Sequence, residues 1–480
     1  MEISSAEDFK SAYQLERRSH WDKVGAKISS GWHGWGEGYQ KRLEQIFRFL
    51  IPEGQTVLEL GCGQGDLLAT LKPSYGVGVD FSEIMIQNAK QKHPNLHFIL
   101  ADASEFESST QFDYIIFSDL VNDLWDVQFV FEHLSKVCKP RTRVIVNSYS
   151  RFWQPIISFA EKIGLAKPNL PQNWLVVDDI KNLLNLAGFE PLQSWSEILL
   201  PIDIPAIEPF FNRFLVKLPP FHWLALTNFI IARPKEEVTK KNPKVSVVIP
   251  ARNEAGNIAK VFSRVPRIGS GTELIFVEGH SKDNTFETIQ NEVMSHPEWE
   301  CQIHQQSGVG KGDAVRTGFE HATGDILMIL DADLTVPPED LEKFYQALVS
   351  GKGDFINGVR LVYPIEDNAM QFFNLLGNKF FSIAFSWLLG QSIKDTLCGT
   401  KVCWKDDYSL IAANRQYFGN FDPFGDYDLL FGAARFHLKI VDLPVRYRER
   451  TYGTTNIQRW KHGWMLIKMV GFAARKLKFI

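Results

Sequence analysis

Residues 56–66 read TVLELGCGQGD, and this stretch decides the fold of the first half of the chain. A short apolar run enters a turn with glycines at positions 61, 63 and 65, and a second apolar run ends at Asp80. The interval from Gly61 to Asp80 is about the 20 residues that a unit of strand, turn, helix and strand in a parallel sheet requires. Glycines let the backbone approach a ligand closely, and an acid after the second strand accepts the hydroxyls of a ribose. Because Asp66 stands where a dinucleotide-binding turn needs glycine, the pattern favours a nucleoside over a pyrophosphate ligand.

Both halves of the chain alternate short buried strands with stretches of helical spacing. Strands are predicted over 56–60, 76–79, 114–117 and 143–146, and again over 245–249, 274–277 and 326–330. The polar run RPKEEVTKKNPK at 233–244 separates the two halves as a linker does. We therefore predict two α/β domains with parallel sheets and ligands at the carboxyl ends of the strands. The predicted ranges are 1–232 for the first domain, 233–243 for the linker, 244–456 for the second domain and 457–480 for a basic amphipathic helix.

Composition and charge limit the classes of partner. A chain of 480 residues exceeds what one core usually organises, which agrees with two domains. The 52 basic and 56 acidic residues leave a net charge of −4, so no general basic field predicts a nucleic-acid partner. Five cysteines and an N-terminus without a signal-peptide pattern predict a cytoplasmic protein without a disulfide framework. No stretch of about 18 residues is apolar throughout, so no transmembrane helix is expected.

Three elements of the first half resemble class I S-adenosylmethionine-dependent methyltransferases, over residues 40–230. They are the ELGCGQG turn at 59–65, Asp80, and the ADA triplet at 101–103 with the strand that follows at 112–117. The resemblance implies a Rossmann-like sheet and S-adenosylmethionine as the cofactor. It also implies a cofactor-binding set in which Gly61 and Gly63 line the methionine part, Asp80 holds the ribose, Asp102 lies beside the adenine amine, and Glu59 takes part.

The residues that follow the fourth strand are candidates for contact with the methyl acceptor. The sequence SDLVND at 118–123 lacks the Asn/Asp-Pro-Pro-aromatic run of the amino methyltransferases that act on DNA, which disfavours a DNA base. Asp119, Asn122 and Trp125 face the acceptor if this strand is placed correctly, but helix capping explains Asp119 and Asn122 equally well. The segment Trp21–Tyr39 is either a lid over the site or an aromatic packing strip.

Three polar clusters follow strands in the second half. They are PARNE at 250–254, EGHSKDNT at 278–285 and DAD at 331–333. Two carboxylates one residue apart beyond a strand point to the same side, which suits a divalent cation held against a substrate diphosphate. Such a cation also neutralises a leaving diphosphate. We therefore predict a metal site at Asp331 and Asp333, with magnesium and manganese equally acceptable.

Across residues 244–455 the second half resembles the family 2 glycosyltransferases of the GT-A type, inverting enzymes that use nucleotide-diphosphate sugars. The likeness rests on VIPARNE at 248–254, DAD at 331–333, GVR at 358–360 and DTLCGTK at 395–401. It is nearest to the branch that contains dolichol-phosphate mannosyltransferase and the polyprenyl-phosphate glycosyltransferases. One departure concerns the donor base: the family often has paired aspartates where this chain has Glu278 and Gly279.

The resemblance implies sites for the sugar-nucleotide donor, the general base and the acceptor. The sugar nucleotide is expected at Pro250, Arg252, Glu254, Glu278, Lys311 and Asp331. Lys311 lies in the glycine-rich run at 308–316, where cations and free amides meet phosphate, unless that run is only a solvated helix start. Asp426, and next to it Asp428, are the candidate general bases if the acceptor is a hydroxyl. A lipid phosphate needs no base, and basic side chains then surround it: Arg360, Lys401, Arg448 and Arg450.

Two stretches are candidates for contact with a membrane surface. Residues 371–389 have a broad apolar face with six aromatic residues, although burial within the domain explains that face as well. The tail at 457–480 has six cations and no acid, as in a basic amphipathic helix that binds anionic lipid, or in a helix that joins two subunits. Peripheral attachment at the inner face of the membrane therefore stays open.

Together these patterns predict a bifunctional enzyme. One half transfers a methyl group from S-adenosylmethionine, and the other transfers a sugar from a nucleotide-diphosphate donor to a glycan or polyprenyl-phosphate acceptor, with a divalent metal. The first alternative is a glycosyltransferase whose N-terminal half is a cofactor-binding or scaffolding module without catalysis. The second is a soluble transferase that acts on a sugar hydroxyl.

Overall fold

A computed structural model describes residues 6–29, 37–163, 170–235, 242–363, 372–418, 425, 427–450, 452 and 459–480. The chain divides into two compact units. The first comprises Met1–Lys235 together with Phe479–Ile480, and the second comprises Glu236–Lys478.

The first unit contains a seven-stranded sheet in the order β3-β2-β1-β4-β5-β7-β6. Its strands are β1 Thr56–Leu60, β2 Tyr75–Asp80, β3 His97–Leu100, β4 Phe112–Ser118, β5 Cys138–Tyr149, β6 Phe189–Glu197 and β7 Thr227–Pro234. All neighbours are parallel except β7, which is antiparallel to β5 and to β6. The helices are α1 Ala6–Ser29, α2 Glu37–Leu50, α3 Asp66–Thr70, α4 Glu83–Lys92, α5 Val127–His133, α6 Gln154–Lys162, α7 Val177–Leu186 and α8 Ile207–Pro209.

The second unit also has seven strands, in the order β10-β9-β8-β11-β13-β12-β14. They are β8 Val245–Ala251, β9 Thr272–Glu278, β10 Glu300–Gln305, β11 Ile326–Ile329, β12 Phe355–Val359, β13 Lys401–Trp404 and β14 Ile440–Pro444. Here β13 is antiparallel to β11 and β12, so the sheet is mixed. The helices are α9 Ala255–Arg264, α10 Thr285–Ser295, α11 Lys311–His321, α12 Leu341–Val349, α13 Phe372–Leu389, α14 Lys405–Ala413, α15 Tyr427–Arg435 and α16 Arg459–Ala473.

The predicted α/β class and two-sheet architecture are confirmed, and the predicted strands coincide with β1, β2, β4, β5, β8, β9 and β11. The prediction of purely parallel sheets was wrong for β7 and β13, because strand direction depends on the path of the connection and not on strand composition. The predicted boundaries at 232, 243 and 456 remain predictions.

Strand burial explains why both sheets read as apolar runs. Val57 packs in the core on one face of the first sheet, and Leu58 packs in the core on the other. In the second sheet Val247 and Val248 divide in the same way between two cores. Strands covered on both faces are apolar at successive positions, not at alternating ones.

The register of the parallel strands aligns their ends. Leu60 of β1 pairs with Val79 of β2 and with Phe117 of β4. The residues that follow each strand therefore meet at one edge of the sheet. In the second unit Ala251 pairs with Glu278 in the same way.

Helix α11 lies unusually close to β8, and this contact can be tested. A Cβ atom added at Gly318 would lie 2.3 Å from Cγ1 of Val248. Although alanine is the better helix former by about 0.5–1 kcal/mol, overpacking a core costs about 1–3 kcal/mol. We expect Gly318→Ala to lower the melting temperature of the full chain in calorimetry. Gly463→Ala, where a Cβ meets nothing within 4 Å, serves as the helical control and should not lower it. A higher melting temperature for Gly318→Ala would contradict this packing.

Candidate active sites

A pocket of about 150 Å³ lies at the carboxyl edge of the first sheet. Its walls come from α1, the glycine turn at Gly61, the end of β2 at Asp80, the loop after β3, and residues 120–130 beyond β4. The structure therefore brings together Gly61, Asp80 and Asp102, three of the predicted cofactor-binding residues.

The glycine turn and Asp80 hold one another. The backbone N–H of Gly63 donates to one carboxylate oxygen of Asp80 at 2.9 Å, and that of Ser82 donates to the other at 2.9 Å. Burial raises the pKa of Asp80, and these backbone donors partly offset that effect. Gly61, Gly63 and Gly65 all have left-handed φ angles, which explains why glycines recur in this turn.

Asp102 already has partners on both oxygens. The backbone N–H and the hydroxyl of Ser104 donate to Oδ1 at 2.9 and 2.6 Å, and Nε2 of Gln14 donates to Oδ2 at 3.1 Å. The Gln14 amide thus takes the position at which a ligand amine would donate to this carboxylate.

Glu59 lies apart from the pocket. It is 2% exposed, is absent from the pocket wall, and accepts the backbone N–H of Leu68 in α3. Burial raises the pKa of Glu59 well above its ordinary value. Glu59 therefore connects β1 to α3 in the interior of the unit.

Helix α1 covers the pocket, a role that was not predicted from its sequence. Nη1 of Arg17 lies 3.2 Å from Oδ1 of Asp123, and Nε1 of Trp21 donates to Oδ2 of Asp123 at 3.2 Å. These contacts hold α1 against the residues beyond β4. In the segment Trp21–Tyr39, predicted as a lid or a packing strip, residues 30–36 lie outside the described residues. Helix α1 begins well before this segment, at Ala6.

The three open acceptor candidates separate in the structure. Trp125 lines the pocket and packs edge-on against Tyr13 at 5.2 Å. Asp119 is not on the pocket wall; it accepts the hydroxyl of Tyr39 at 2.9 Å and the amide of Asn147 at 2.7 Å. Asn122 is 1% exposed and also lies off the wall. Among the three, only Trp125 is placed to touch a ligand.

In the second unit, the loops after β8 and β9 bind each other. The backbone N–H of Asn253 donates to the Ser281 hydroxyl at 3.0 Å, and that of Lys282 donates to Oδ1 of Asn253 at 2.7 Å. Glu278 accepts the backbone N–H of Ser281 at 2.6 Å. Although burial opposes its charge, hydrogen bonds from Ser281 and Gln305 hold the pKa of Glu278 below its ordinary value. Arg252 is exposed and lies in the loop after β8. Pro250 lies near the end of β8, directly before Ala251.

Asp331 and Asp333 are each held by a cation. Nζ of Lys311 lies 2.5 Å from Oδ1 of Asp331. Nη2 of Arg450 donates to Oδ2 of Asp333 at 2.7 Å, while its Nη1 donates to Oε1 of Glu254 at 2.7 Å. Five predicted site residues from distant parts of the chain therefore form one charged cluster. A Cβ added at Gly399 would displace the ends of the Asp331 and Lys311 side chains, so the glycine leaves room for this ion pair.

The residues of this cluster suit a hard divalent cation only in part. Among the described residues, no group of three or more histidine, cysteine, aspartate or glutamate side chains is placed to hold a metal ion. Magnesium is commonly bound by one or two carboxylates, with the remaining ligands from water and substrate phosphates. Asp331 and Asp333 fit that mode, in which the donor diphosphate completes the site.

Two of the predicted acceptor cations are engaged elsewhere. Arg360 forms a bidentate pair with Asp395, with N–O distances of 2.8 and 2.9 Å. Lys401 is 1% exposed and donates to the Cys398 carbonyl at 2.6 Å and to Oδ1 of Asn357 at 3.1 Å. Arg448 is exposed, and its backbone N–H donates to the Thr335 carbonyl at 2.9 Å.

The two candidate bases differ in what the structure describes. Asp426 lies outside the described residues. Asp428, in the first turn of α15, is buried and accepts Nε of Arg415 at 2.9 Å. Its environment is that of a buried ion pair.

Family models match both halves of the chain. Residues 51–188 match the model described as a methyltransferase domain, and residues 246–398 match the model described as glycosyl transferase family 2. The dolichol-phosphate mannosyltransferase of Pyrococcus furiosus is 28% identical over 247 residues, which are 49% of this chain and 67% of that protein. The dolichyl-phosphate beta-glucosyltransferase ALG5C of Trichomonas vaginalis is 28% identical over 246 residues, or 45% of this chain and 69% of that protein.

A solved S-adenosylmethionine-dependent methyltransferase from Thermotoga maritima is similar to 45% of this chain and 98% of its own, at 16% identity and a TM-score of 0.35. The two family matches fall on the two units and include the glycine turn and the two aspartates described above. Residues 51–188 are therefore similar to a methyltransferase domain, and residues 246–398 to a family 2 glycosyltransferase domain.

Proposed function

We propose that both domains are catalytic. The second transfers a sugar from a nucleotide-diphosphate donor to a polyprenyl phosphate, with inversion and with magnesium or manganese. The first methylates a glycan of the same pathway. The observation that carries the sugar transfer is the cluster of Lys311, Asp331, Asp333, Glu254 and Arg450 at the carboxyl edge of the second sheet.

The cluster supplies the charges that a diphosphate donor needs. Asp331 and Asp333 are the residues that would hold the metal, which supplies neutralisation of the leaving diphosphate when bound. Lys311 and Arg450 add two positive charges beside the carboxylates. The nucleoside is proposed to bind at Pro250 near the end of β8, at Glu278 at the end of β9, and at Arg252 in the loop after β8.

A phosphate acceptor agrees with the environment of the described acid. Asp428 is buried and paired with Arg415, so it is not placed to meet an acceptor hydroxyl. A polyprenyl phosphate is already anionic and needs no base, and the named relatives act on dolichol phosphate. We assign the acceptor phosphate chiefly to the exposed Arg448. Arg450, another predicted acceptor cation, is held by Glu254 and Asp333 in the donor cluster. Arg360 and Lys401 then keep the loop at 395–401 in place. A sugar hydroxyl as acceptor would instead require Asp426.

Two helices of the second unit favour attachment at the cytoplasmic face of a membrane. Phe380, Ile383 and Trp387 recur on one face of α13 and are exposed, and Trp464 and Ile467 are exposed on α16. Aromatic residues on amphipathic helices suit the bilayer interface. None of the helices among the described residues combines the length and the hydropathy that a bilayer span requires.

For methyl transfer, the first domain needs mainly to align donor and acceptor, because the reaction is an in-line displacement at a sulfonium. A glycan hydroxyl oxygen bonds to the methyl carbon as its bond to sulfur breaks, S-adenosylhomocysteine leaves, and the hydroxyl proton passes to water. We assign the ribose to Asp80, the adenine amine to Asp102 after Gln14 gives way, and the methionine part to Gly61 and Gly63. Trp125 lies on the wall where the acceptor is expected. The position of Gln14 also favours one alternative, in which this domain is a cofactor-binding or scaffolding module without catalysis.

The sugar transfer is tested by Asp331→Asn. Loss of one carboxylate from a two-carboxylate metal site should lower sugar transfer by at least about 100-fold, a loss of roughly 2.7 kcal/mol of transition-state stabilisation. The assay measures release of nucleoside diphosphate from UDP- and GDP-sugars, with and without polyprenyl phosphate, across a range of Mg²⁺ and Mn²⁺ concentrations. Glu300→Gln, which alters an exposed pair with Lys244 at the start of β10, is the control and should stay near wild type. Full activity of the wild type in EDTA would refute the metal assignment.

The cofactor site is tested by Asp80→Ala with isothermal titration of S-adenosylmethionine. Hydrogen bonds to a charged acceptor contribute about 1.5–3 kcal/mol, so affinity should fall by about 10- to 150-fold. Asp66→Asn is the matched control, because Asp66 belongs to the same turn but pairs with Lys92 and lies off the pocket wall. Equal losses in both variants would contradict the assignment of Asp80. Binding without methylation of any pathway glycan would favour the module.

The raised pKa of Asp80 gives this site a pH dependence. If ribose hydroxyls donate to the Asp80 carboxylate, binding requires the ionised form. A pKa above the ordinary value means that protonation begins at a higher pH than for a typical aspartate. We therefore expect the affinity for S-adenosylmethionine to be full at neutral pH and to fall as the pH is lowered through this raised value. The same titration series on Asp80→Asn should lose that dependence, and an identical pH profile in both proteins would contradict it.

A further inference from the structure

Helix α6 of the methyltransferase unit exposes an apolar stripe. Phe152, just before the helix, and Ile156, Phe159 and Ile163 recur at helical spacing and are all exposed. No residue of α6 is buried. The helix packs against the core through partly buried residues of its own, such as Ile157.

A second exposed stripe lies between β6 and β7. Ile207, Phe210, Phe214 and Leu218 are spaced three or four residues apart along a helical segment that starts at Ile207 and continues to Lys217. It is followed by Trp223, which is 69% exposed. We call these two stripes and Trp223 the acceptor-edge patch.

The two stripes belong to one surface. Nε1 of Trp153, at the start of the first stripe, donates to the Leu224 carbonyl at 2.8 Å. The strands next to the two stripes are β5, β6 and β7. Thr227 of β7 pairs with Tyr149 of β5 and with Glu197 of β6, so these strand ends share one edge. Because Ser118 of β4 pairs with Asn147 of β5, this is also the edge that carries the cofactor pocket.

Charge and composition indicate what covers the patch. Exposed Arg151 and Lys162 flank α6. Of the carboxylates nearby, Asp203 is bound to Lys41 at 2.9 Å and Glu208 to the amide of Asn212 at 2.7 Å, while Glu161 is half-buried.

The last two residues of the chain extend the same surface. The ring of Phe479 packs at 5.4 Å from that of Phe214, and Arg213 donates to the Phe479 carbonyl at 2.8 Å.

Nine exposed apolar side chains grouped at one edge of the sheet indicate an interaction site, since soluble monomers rarely expose contiguous apolar patches. Aromatic side chains on short amphipathic helices, flanked by cations, match the interface of an anionic bilayer. We propose that the acceptor-edge patch docks the methyltransferase unit on an anionic membrane surface, and that its methyl acceptor is a lipid-linked glycan. The second part rests on the methyl transfer proposed above. An acceptor anchored in the bilayer reaches the edge where the cofactor pocket opens.

Local insertion is measured on the full chain with Phe159→Cys carrying an environment-sensitive fluorophore. Four of the five native cysteines are buried and Cys301 is half-buried, so brief labelling selects the new site. Leu186→Cys on α7 is the matched control, because Leu186 is 59% exposed and Phe159 is 64% exposed. A probe at position 159 reports the insertion of this patch alone, independently of any membrane contact by α13 or α16.

We expect a blue shift at position 159 on vesicles of phosphatidylglycerol and phosphatidylcholine in equal parts, a smaller one on phosphatidylcholine alone, and none at position 186. No shift at position 159, or equal shifts at both positions, would overturn the docking. So would a shift without vesicles that grows with protein concentration, which would show that a second copy covers the patch.

The acceptor class is tested with the double variant Phe159→Glu/Trp223→Glu and with Leu186→Glu as its control. Methyl transfer is followed to a polyprenyl-phosphate hexose in the anionic vesicles and to the same hexose phosphate on a short, water-soluble chain. The double variant should lose at least about tenfold on the vesicle substrate. Its rate on the soluble one and its affinity for S-adenosylmethionine should not change. Equal losses on both substrates, or none on vesicles, would overturn the lipid-linked acceptor. Failure of the wild type on both substrates would contradict the proposed methyl transfer itself, while the fluorescence at position 159 decides the docking independently.

Discussion

The alignment of parallel strand ends is the constraint on which both sites depend. Leu60, Val79 and Phe117 are paired in register, so the residues that follow them, far apart in the chain, share one edge. The second sheet repeats this arrangement with Ala251 and Glu278. Strands covered on both faces cannot slip without exposing apolar side chains, so the core also holds the polar loops in position.

Charge compensation distinguishes the two sites. In the glycosyltransferase unit, Asp331, Asp333 and Glu254 are balanced by Lys311 and Arg450, which come from distant segments. In the methyltransferase unit, Asp80 and Asp102 are held mainly by backbone N–H groups and neutral side chains. The first arrangement suits a substrate of high negative charge with a metal ion, and the second suits a cationic nucleoside.

The surfaces outside the sites have a common character. Exposed aromatic residues with nearby cations occur on α13 and α16 of one unit and on the acceptor-edge patch of the other. If each unit contacts a membrane by its own helices, a lipid-linked intermediate is within reach of both activities. Under the functions proposed above, this is a physical reason for joining a sugar transfer and a methyl transfer in one chain.

Sequence by itself determined the class of both folds, the strands that carry the sites, and the residues at the strand ends. These are local properties: a strand buried on both faces is an apolar run, and a turn that needs left-handed φ angles needs glycine. Only the tertiary structure decided the antiparallel β7 and β13, the covering of the pocket by α1, and the partners of the charged residues. Arg360 and Lys401 illustrate the limit, because a cation reads the same in the sequence whether it faces a ligand or a buried partner such as Asp395. Such pairings join residues far apart in the chain, and a local pattern carries no record of them.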